Sequence, residues 1–189
     1  ITHNFGKGIR TVYPCRYPII VNCQISNNSS VGIDCTGYSS GGGECYPEID
    51  ACRIISNGTG IQCYYRAIPW ITRCLISDNN NRGINLFAYS PGTVHNCLIT
   101  DNLAGGIYCN TGVAVTPVTI KQCTIAGNSS DTGGGVHVDY AEALIADCII
   151  WNNTAQSGAQ LALSDGESVM TVQYSDVQGG ESSVYTDIL

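Results

Sequence analysis

The stretch Cys97-Leu98-Ile99-Thr100-Asp101-Asn102-Leu103-Ala104-Gly105-Gly106-Ile107-Tyr108-Cys109 joins two patterns end to end. The first is Cys-x-Ile-x-x-Asn. The second is a Gly followed by apolar residues at alternate positions. The first returns as Cys23-Ile25-Asn28, Cys52-Ile54-Asn57, Cys74-Ile76-Asn79, Cys123-Ile125-Asn128 and Cys148-Ile150-Asn153, with a degenerate copy at Ser175-Val177-Gly180. Ile1, Asn4, Gly8 and Ile9 fit the frame of Ile76, Asn79, Gly83 and Ile84. From Cys23 to Ser175 the spacings are 29, 22, 23, 26, 25 and 27 residues. Units of this length, repeated without a break, build a solenoid in which each unit buries its apolar side only by stacking on its neighbours.

The second pattern recurs as Gly32-Ile33-x-Cys35, Gly60-Ile61-x-Cys63, Gly83-Ile84-x-Leu86 and Gly135-Val136-x-Val138, and more loosely as Gln160-Leu161-x-Leu163. An aliphatic residue stands three places before each Cys, from Ile20 to Ile145, and Val172 does so before Ser175. Apolar residues two apart, in short runs bounded by Gly, Asn, Ser and Pro, are strands rather than helical turns. Strands that return in the same direction without an intervening helix pair in parallel only if the chain coils upon itself. The expected fold is therefore all-β: a single-stranded right-handed parallel β-helix of about seven coils, a rod on the order of 35 Å long. Residues 1–189 read as one domain, and a chain that starts and stops in mid-coil reads as part of a longer protein.

The alignment predicts inward columns. The Cys residues stack as one, the Ile residues as the next, and Cys35, Cys63 and Cys109 share a third with Leu86, Val138 and Leu163. That third column asks for a small or medium apolar group rather than a thiol as such. Asn28, Asn57, Asn79, Asn102, Asn128 and Asn153 form a turn ladder, each amide bonding to its neighbours and each Asn tolerating the left-handed backbone of a sharp turn. Sequons such as Asn28-Ser29-Ser30 and Asn57-Gly58-Thr59 overlap the ladder, and an inward ladder excludes their glycosylation.

A net charge of -7 with only eight Lys plus Arg argues against nucleic acid or an anionic membrane surface as partner. No apolar run is long enough to span a membrane, so membrane insertion is not expected. The eleven cysteines do not read as a disulfide scaffold, because thiols stacked in register point the same way. No pair has C-x-x-C spacing, so neither zinc nor another metal or cofactor is expected. Cys15 and Cys45 stand outside the columns, eight and seven residues before Cys23 and Cys52. A Cys15–Cys45 disulfide is the expectation, and it would place the protein in an oxidising, extracytoplasmic compartment.

If Ile33, Ile61, Ile84, Ile107, Val136 and Leu161 point inward, then Asp34, Gln62, Asn85, Tyr108, His137 and Ala162 point out. The next outward row is Thr36, Tyr64, Phe87, Asn110, Asp139 and Ser164. With Tyr65, Tyr89 and Tyr140 nearby, this surface mixes aromatic rings with amides and suits a neutral glycan. The carbohydrate-binding candidates are Gln62, Tyr64, Tyr65, Asn85, Phe87, Tyr89, Tyr108, Asn110, His137 and Asp139. His137 is expected to pair with Asp139, while His3 and His95 read as plain surface residues. On the Cys-bearing sheet Ile55, Leu75, Leu98, Ile149 and Trp151 read as an outward apolar stripe, covered by other segments of the same protein or by another chain. Two excursions, Gly37 to Tyr46 with its Gly41-Gly42-Gly43 run and Thr111 to Pro117, are expected to project from the rod.

Repeated C-x-I-x-x-N followed by G-I/V resembles the right-handed parallel β-helix repeat of the pectin-lyase-like superfamily over essentially the whole chain. Units such as Ile99 to Asn102 and Gly105-Gly106-Ile107 also resemble repeats of bacterial surface and autotransporter passenger proteins. The resemblance implies a secreted or cell-surface, bacterial location. Its members range from polysaccharide lyases and glycoside hydrolases to adhesins, so fold alone does not choose a function. The N-T-D, D-D, G-H-G and R-I-K segments of polygalacturonase-like enzymes are missing, with Gly135-Val136-His137 and Arg53-Ile54-Ile55 the nearest approaches. A lyase would need clustered Asp residues and a base, for which the chain offers Arg53 and Arg73 with Asp50 close to the first. The reading is a non-catalytic extracytoplasmic module that binds a polysaccharide or serves as a rigid surface element; the alternative is a polysaccharide lyase or glycoside hydrolase of the same fold.

Overall fold

The computed structural model describes residues 1–38, 43–112 and 116–187. Gly41 and Gly42 of the glycine run, and residues 113–115 of the second excursion, lie outside the described residues.

Each coil contributes one short strand to each of three parallel sheets. The cysteine face runs from Gln24–Ser26 through Arg53–Ile55, Leu75–Ser77, Leu98–Thr100, Thr124–Ala126 and Ile149–Trp151 to Asp176–Val177. The glycine face, eight strands deep, runs from Ile9–Val12 to Val184–Thr186. The third face runs from Ile19–Val21 to Val169–Gln173. Register follows the repeat: Ile25, Ile54, Ile76, Ile99, Ile125 and Ile150 lie opposite one another on successive strands, and all six are fully buried. Burying one such side chain contributes about 1.5–3 kcal/mol, and the stacked column is the spine of the core. The cysteines from Cys52 to Cys148 are buried beside it and carry no disulfide. Each backbone N–H of Cys23, Cys74 and Cys123 meets the sulfur of the next coil's Cys at 3.5 Å.

The asparagine ladder is continuous. Asn28 Nδ2 donates to Asn57 Oδ1 at 2.8 Å, Asn79 to Asn102 at 2.8 Å, Asn102 to Asn128 at 2.9 Å and Asn128 to Asn153 at 2.9 Å. Asn4 joins its start, donating to Asn28 at 2.7 Å. Asn28 and Asn57, the acceptor asparagines of those two sequons, are thereby sealed inside the rod. One expectation is corrected: the left-handed residue is not the ladder Asn but the one before it, namely Asn27, Ser56, Asp78, Asp101, Gly127 and Asn152. The ladder side chain has to point inward, so the bend is made one residue earlier.

The glycine of each repeat answers to the coil that follows. A Cβ on Gly83 would lie 2.7 Å from the Gly106 carbonyl, 2.8 Å from Asn102 Nδ2 and 3.0 Å from Ile99 Cγ2. Where the repeat degenerates at Ser175-Val177-Gly180, no further Asn arrives. Gln160 takes the glycine position of its coil and turns its side chain into the vacant rung. Its Oε1 accepts from Asn153 Nδ2 at 2.8 Å, and its Nε2 donates to the Asn153 carbonyl at 3.2 Å.

The expected Cys15–Cys45 bridge is not formed. Ile19 pairs with Glu48 and Tyr17 stacks on Tyr46, so Arg16 lies level with Cys45 and Cys15 is one residue out of step. Cys15 is exposed, while Cys45 is buried and donates from sulfur to the Cys15 carbonyl at 3.0 Å. The apolar stripe is also corrected. Leu75, Leu98 and Ile149 share a row interrupted by Thr124, while Ile55 and Trp151 stand in the other row with Ser77, Thr100 and Ala126 between them.

Candidate functional site

Both outward rows of the glycine face are in register. Asp34, Gln62, Asn85, Tyr108, His137 and Ala162 lie opposite one another. Thr36 pairs with Tyr64, Phe87 with Asn110 and Asp139 with Ser164. The Tyr64 and Phe87 rings stack at 5.2 Å with only 5° between their planes, and Tyr65 leans on Tyr64 at 5.0 Å. Tyr64 therefore covers one face of Phe87, and the opposite face looks toward the coil of Asn110. There a hollow of about 340 Å3 opens, with Asn85 and Asn110 offering amides and Tyr108 and Arg82 forming the far wall.

Beyond that wall the polar groups bond to one another. Tyr108 Oη donates to Asp139 Oδ2 at 2.6 Å, and Asn110 Nδ2 donates to the same oxygen at 3.1 Å. Burial and the adjoining carboxylate both push the Tyr108 hydroxyl above the usual phenol range. Asp139 thus serves Tyr108 and Asn110 rather than His137, correcting the expected His137–Asp139 pair. His137 meets Ser164 Oγ at 2.9 Å and sets its ring edge against Tyr108 at 5.1 Å. Its pKa is lowered by burial, which outweighs the pull of Asp139.

Other candidates mark the limits of the site. Gln62 donates to Asp34 Oδ1 at 3.1 Å; Asp34 is fully buried beneath Lys7, at 2.6 Å, and Arg10, at 3.5 Å. Tyr65 and Tyr89 are exposed and sit in left-handed turns at φ 54° and 64°, a conformation that a bulky residue adopts only when its surroundings enforce it. Arg66 lies over the Tyr89 ring at 5.8 Å.

Sequence reasoning missed two parts of this surface. Arg82, in the turn before Gly83, places its guanidinium 3.6 Å from the Tyr108 ring centre and reaches Asn85 Oδ1 at 3.4 Å. The second is a ridge. From ladder Asn to the glycine position the chain takes seven steps after Asn128 and after Asn153, against four after Asn79 and Asn102. The added residues form the paired strands Ser129–Thr132 and Thr154–Ser157. Unequal turn lengths in the aligned repeats were the signal that could have found it. Between ridge and Arg82 lies a second hollow of about 520 Å3 that reaches His137.

The lyase constellation does not assemble. Asp50 bonds to Arg73 and to Thr72 Oγ1 at 2.6 Å on the third face, and these bonds pull its carboxyl down to about 2. Arg53 instead stands exposed on the cysteine face opposite Gln24 and Leu75. Among the described residues, no three His, Cys, Asp or Glu side chains converge as metal ligands would. Among the described residues no helix is long and apolar enough to cross a membrane.

A family model described as the right handed beta helix region matches residues 8–177, from the first glycine of the repeat to the last strand of the cysteine face. The chain belongs to the right-handed β-helix family. No individual curated protein and no solved structure matches it. The family assignment accounts for the columns of this β-helix and carries no assignment of the glycine-face surface.

Proposed function

We propose that this β-helix is a non-catalytic extracytoplasmic module that binds carbohydrate on its glycine face. The observation that carries the reading is the Phe87 hollow. One face of the ring is backed by Tyr64, the other is open, and amides from Asn85 and Asn110 flank the open side. An aromatic face packs against the apolar face of a sugar ring, while amides bond to its hydroxyls. The free thiols of Cys15 and Cys45 remove the disulfide argument for location, so the extracytoplasmic placement rests on the polysaccharide reading and on the resemblance to surface proteins.

A glycan-array screen followed by calorimetry tests this. Phe87→Ala is expected to weaken the binding found by about tenfold, through loss of the stacking face. Absence of any glycan ligand, or turnover of a polysaccharide by the protein, overturns the reading.

A further inference from the structure

We propose that the glycan bound on the glycine face carries an anionic substituent, a carboxylate or a sulfate, and that Arg82 is its seat. This deepens the carbohydrate reading above and rests on it.

Arg82 is a half-buried cation with unused donors. Among the described residues no carboxylate lies within ion-pair distance of it; the ion pairs of the structure belong to Lys7, Arg10 and Arg73. Burial works against its charged form, so the lowered pKa marks a guanidinium stripped of part of its water. The Tyr108 ring beneath it offsets some of that loss through its π face. Its one side-chain hydrogen bond, to Asn85 at 3.4 Å, is long. Asp139, the nearby carboxylate, is already engaged by Tyr108 and Asn110.

Position makes the cation useful. Arg82 borders both hollows, the one beside Phe87 and the one beneath the ridge. A saccharide lying on Phe87 that continues toward the ridge passes the guanidinium edge on its way. On the ridge side the wall carries the hydroxyls of Ser129 and Thr132, which can bond to sugar oxygens, while Ser130 Oγ donates to the Thr132 carbonyl at 2.7 Å and Asp131 on the lip accepts from Gln156 at 3.3 Å. A planar, forked donor that is partly dehydrated gains most from a carboxylate or sulfate, which it can engage through two parallel bonds. A neutral hydroxyl leaves its charge unanswered.

The test compares a neutral oligosaccharide, an oligouronate and a sulfated oligosaccharide of matched length, by calorimetry, on the wild-type protein, Arg82→Gln and Arg82→Lys. The wild type is expected to prefer one of the two charged ligands by about tenfold or more, the scale of a charge-assisted hydrogen bond, with the preference shrinking as salt is raised. The better charged ligand separates the carboxylate from the sulfate source. Arg82→Gln is expected to bring the charged-over-neutral ratio to about one, and Arg82→Lys to recover part of it. No preference in the wild type, or an undiminished preference in Arg82→Gln, overturns the seat while glycan binding stands. If no oligosaccharide binds, the carbohydrate reading falls, and a sulfate titration followed by NMR decides the seat alone. Shifts at the Tyr108 ring and the Asn85 amide that vanish in Arg82→Gln support it, and their absence in the wild type refutes it.

Discussion

Removing a single rung from the middle of the asparagine ladder should cost far more than removing one from its start. Asn102 is fully buried, and its Oδ1 accepts both from the Asn79 backbone N–H at 3.2 Å and from Asn79 Nδ2 at 2.8 Å. Its own Nδ2 donates to Asn128 Oδ1 at 2.9 Å and to the Ile76 and Thr100 carbonyls at 3.2 and 3.1 Å. Asn102→Ala leaves the Asn79 N–H without its acceptor, and leaves the Asn79 amide with only its 3.4 Å contact to the Ile54 carbonyl. Two orphaned buried donors at about 1–3 kcal/mol each, together with a small cavity, predict a loss of about 4 kcal/mol. Asn4→Ala, at the exposed start, gives up one amide bond to Asn28 and should cost less than about 1 kcal/mol. Urea unfolding followed by circular dichroism measures both. Hydrogen exchange reports the locality, because solenoid stability is set by neighbouring coils and the Asn79 amide should lose protection first. If the two variants unfold within about 0.5 kcal/mol of each other, the ladder does not carry the weight given to it here.

Asp50 gives a pH signature. Its folded carboxyl lies near 2 and the unfolded one near 3.8, so the native state binds fewer protons. The stabilisation is present above about pH 4 and is lost as the pH falls from there toward 2. Asp50→Asn should flatten that part of a plot of Tm against pH, and superimposable curves would count against the Arg73–Asp50 pair. Thiol accessibility tests the Cys15 and Cys45 assignment. A maleimide added to the native protein should modify Cys15 ahead of Cys45, whose thiol burial pushes up to about 11, and ahead of Cys109, pushed up to about 12. A Cys15–Cys45 disulfide seen in the intact mass would refute it.

The columns were legible in the sequence because strand alternation and coil stacking leave each residue type one role. Ile99 can lie only between Ile76 and Ile125, and Tyr108 only between Asn85 and His137. Turns obey no such period. Arg82 meets Tyr108 across neighbouring coils from a turn whose length varies, so spacing did not reveal it. The ridge from Ser129 to Thr132 was hidden in the same variation, since residues added between an Asn and its Gly disturb no column. Cys15 and Cys45 failed for a related reason: the one-residue difference in their distance from the ladder cysteines lies in the turn before the third face, where no column fixes the register. His137 and Asp139 are neighbours on one strand, yet each found its partner on an adjoining coil, where a ladder brings side chains closer than sequence does.

Gln160 bears on how such a rod can be lengthened. A duplicated coil from its middle would bring its own Ile, Asn and Gly, and would slot between existing coils while leaving their contacts unchanged. Copying the coil of Leu161 would not, because the Gln that stops the amide row would then stand where the next Asn has to enter. The chain can therefore grow by insertion among its central units, whereas extension beyond that point requires the terminator to be mutated back to glycine first.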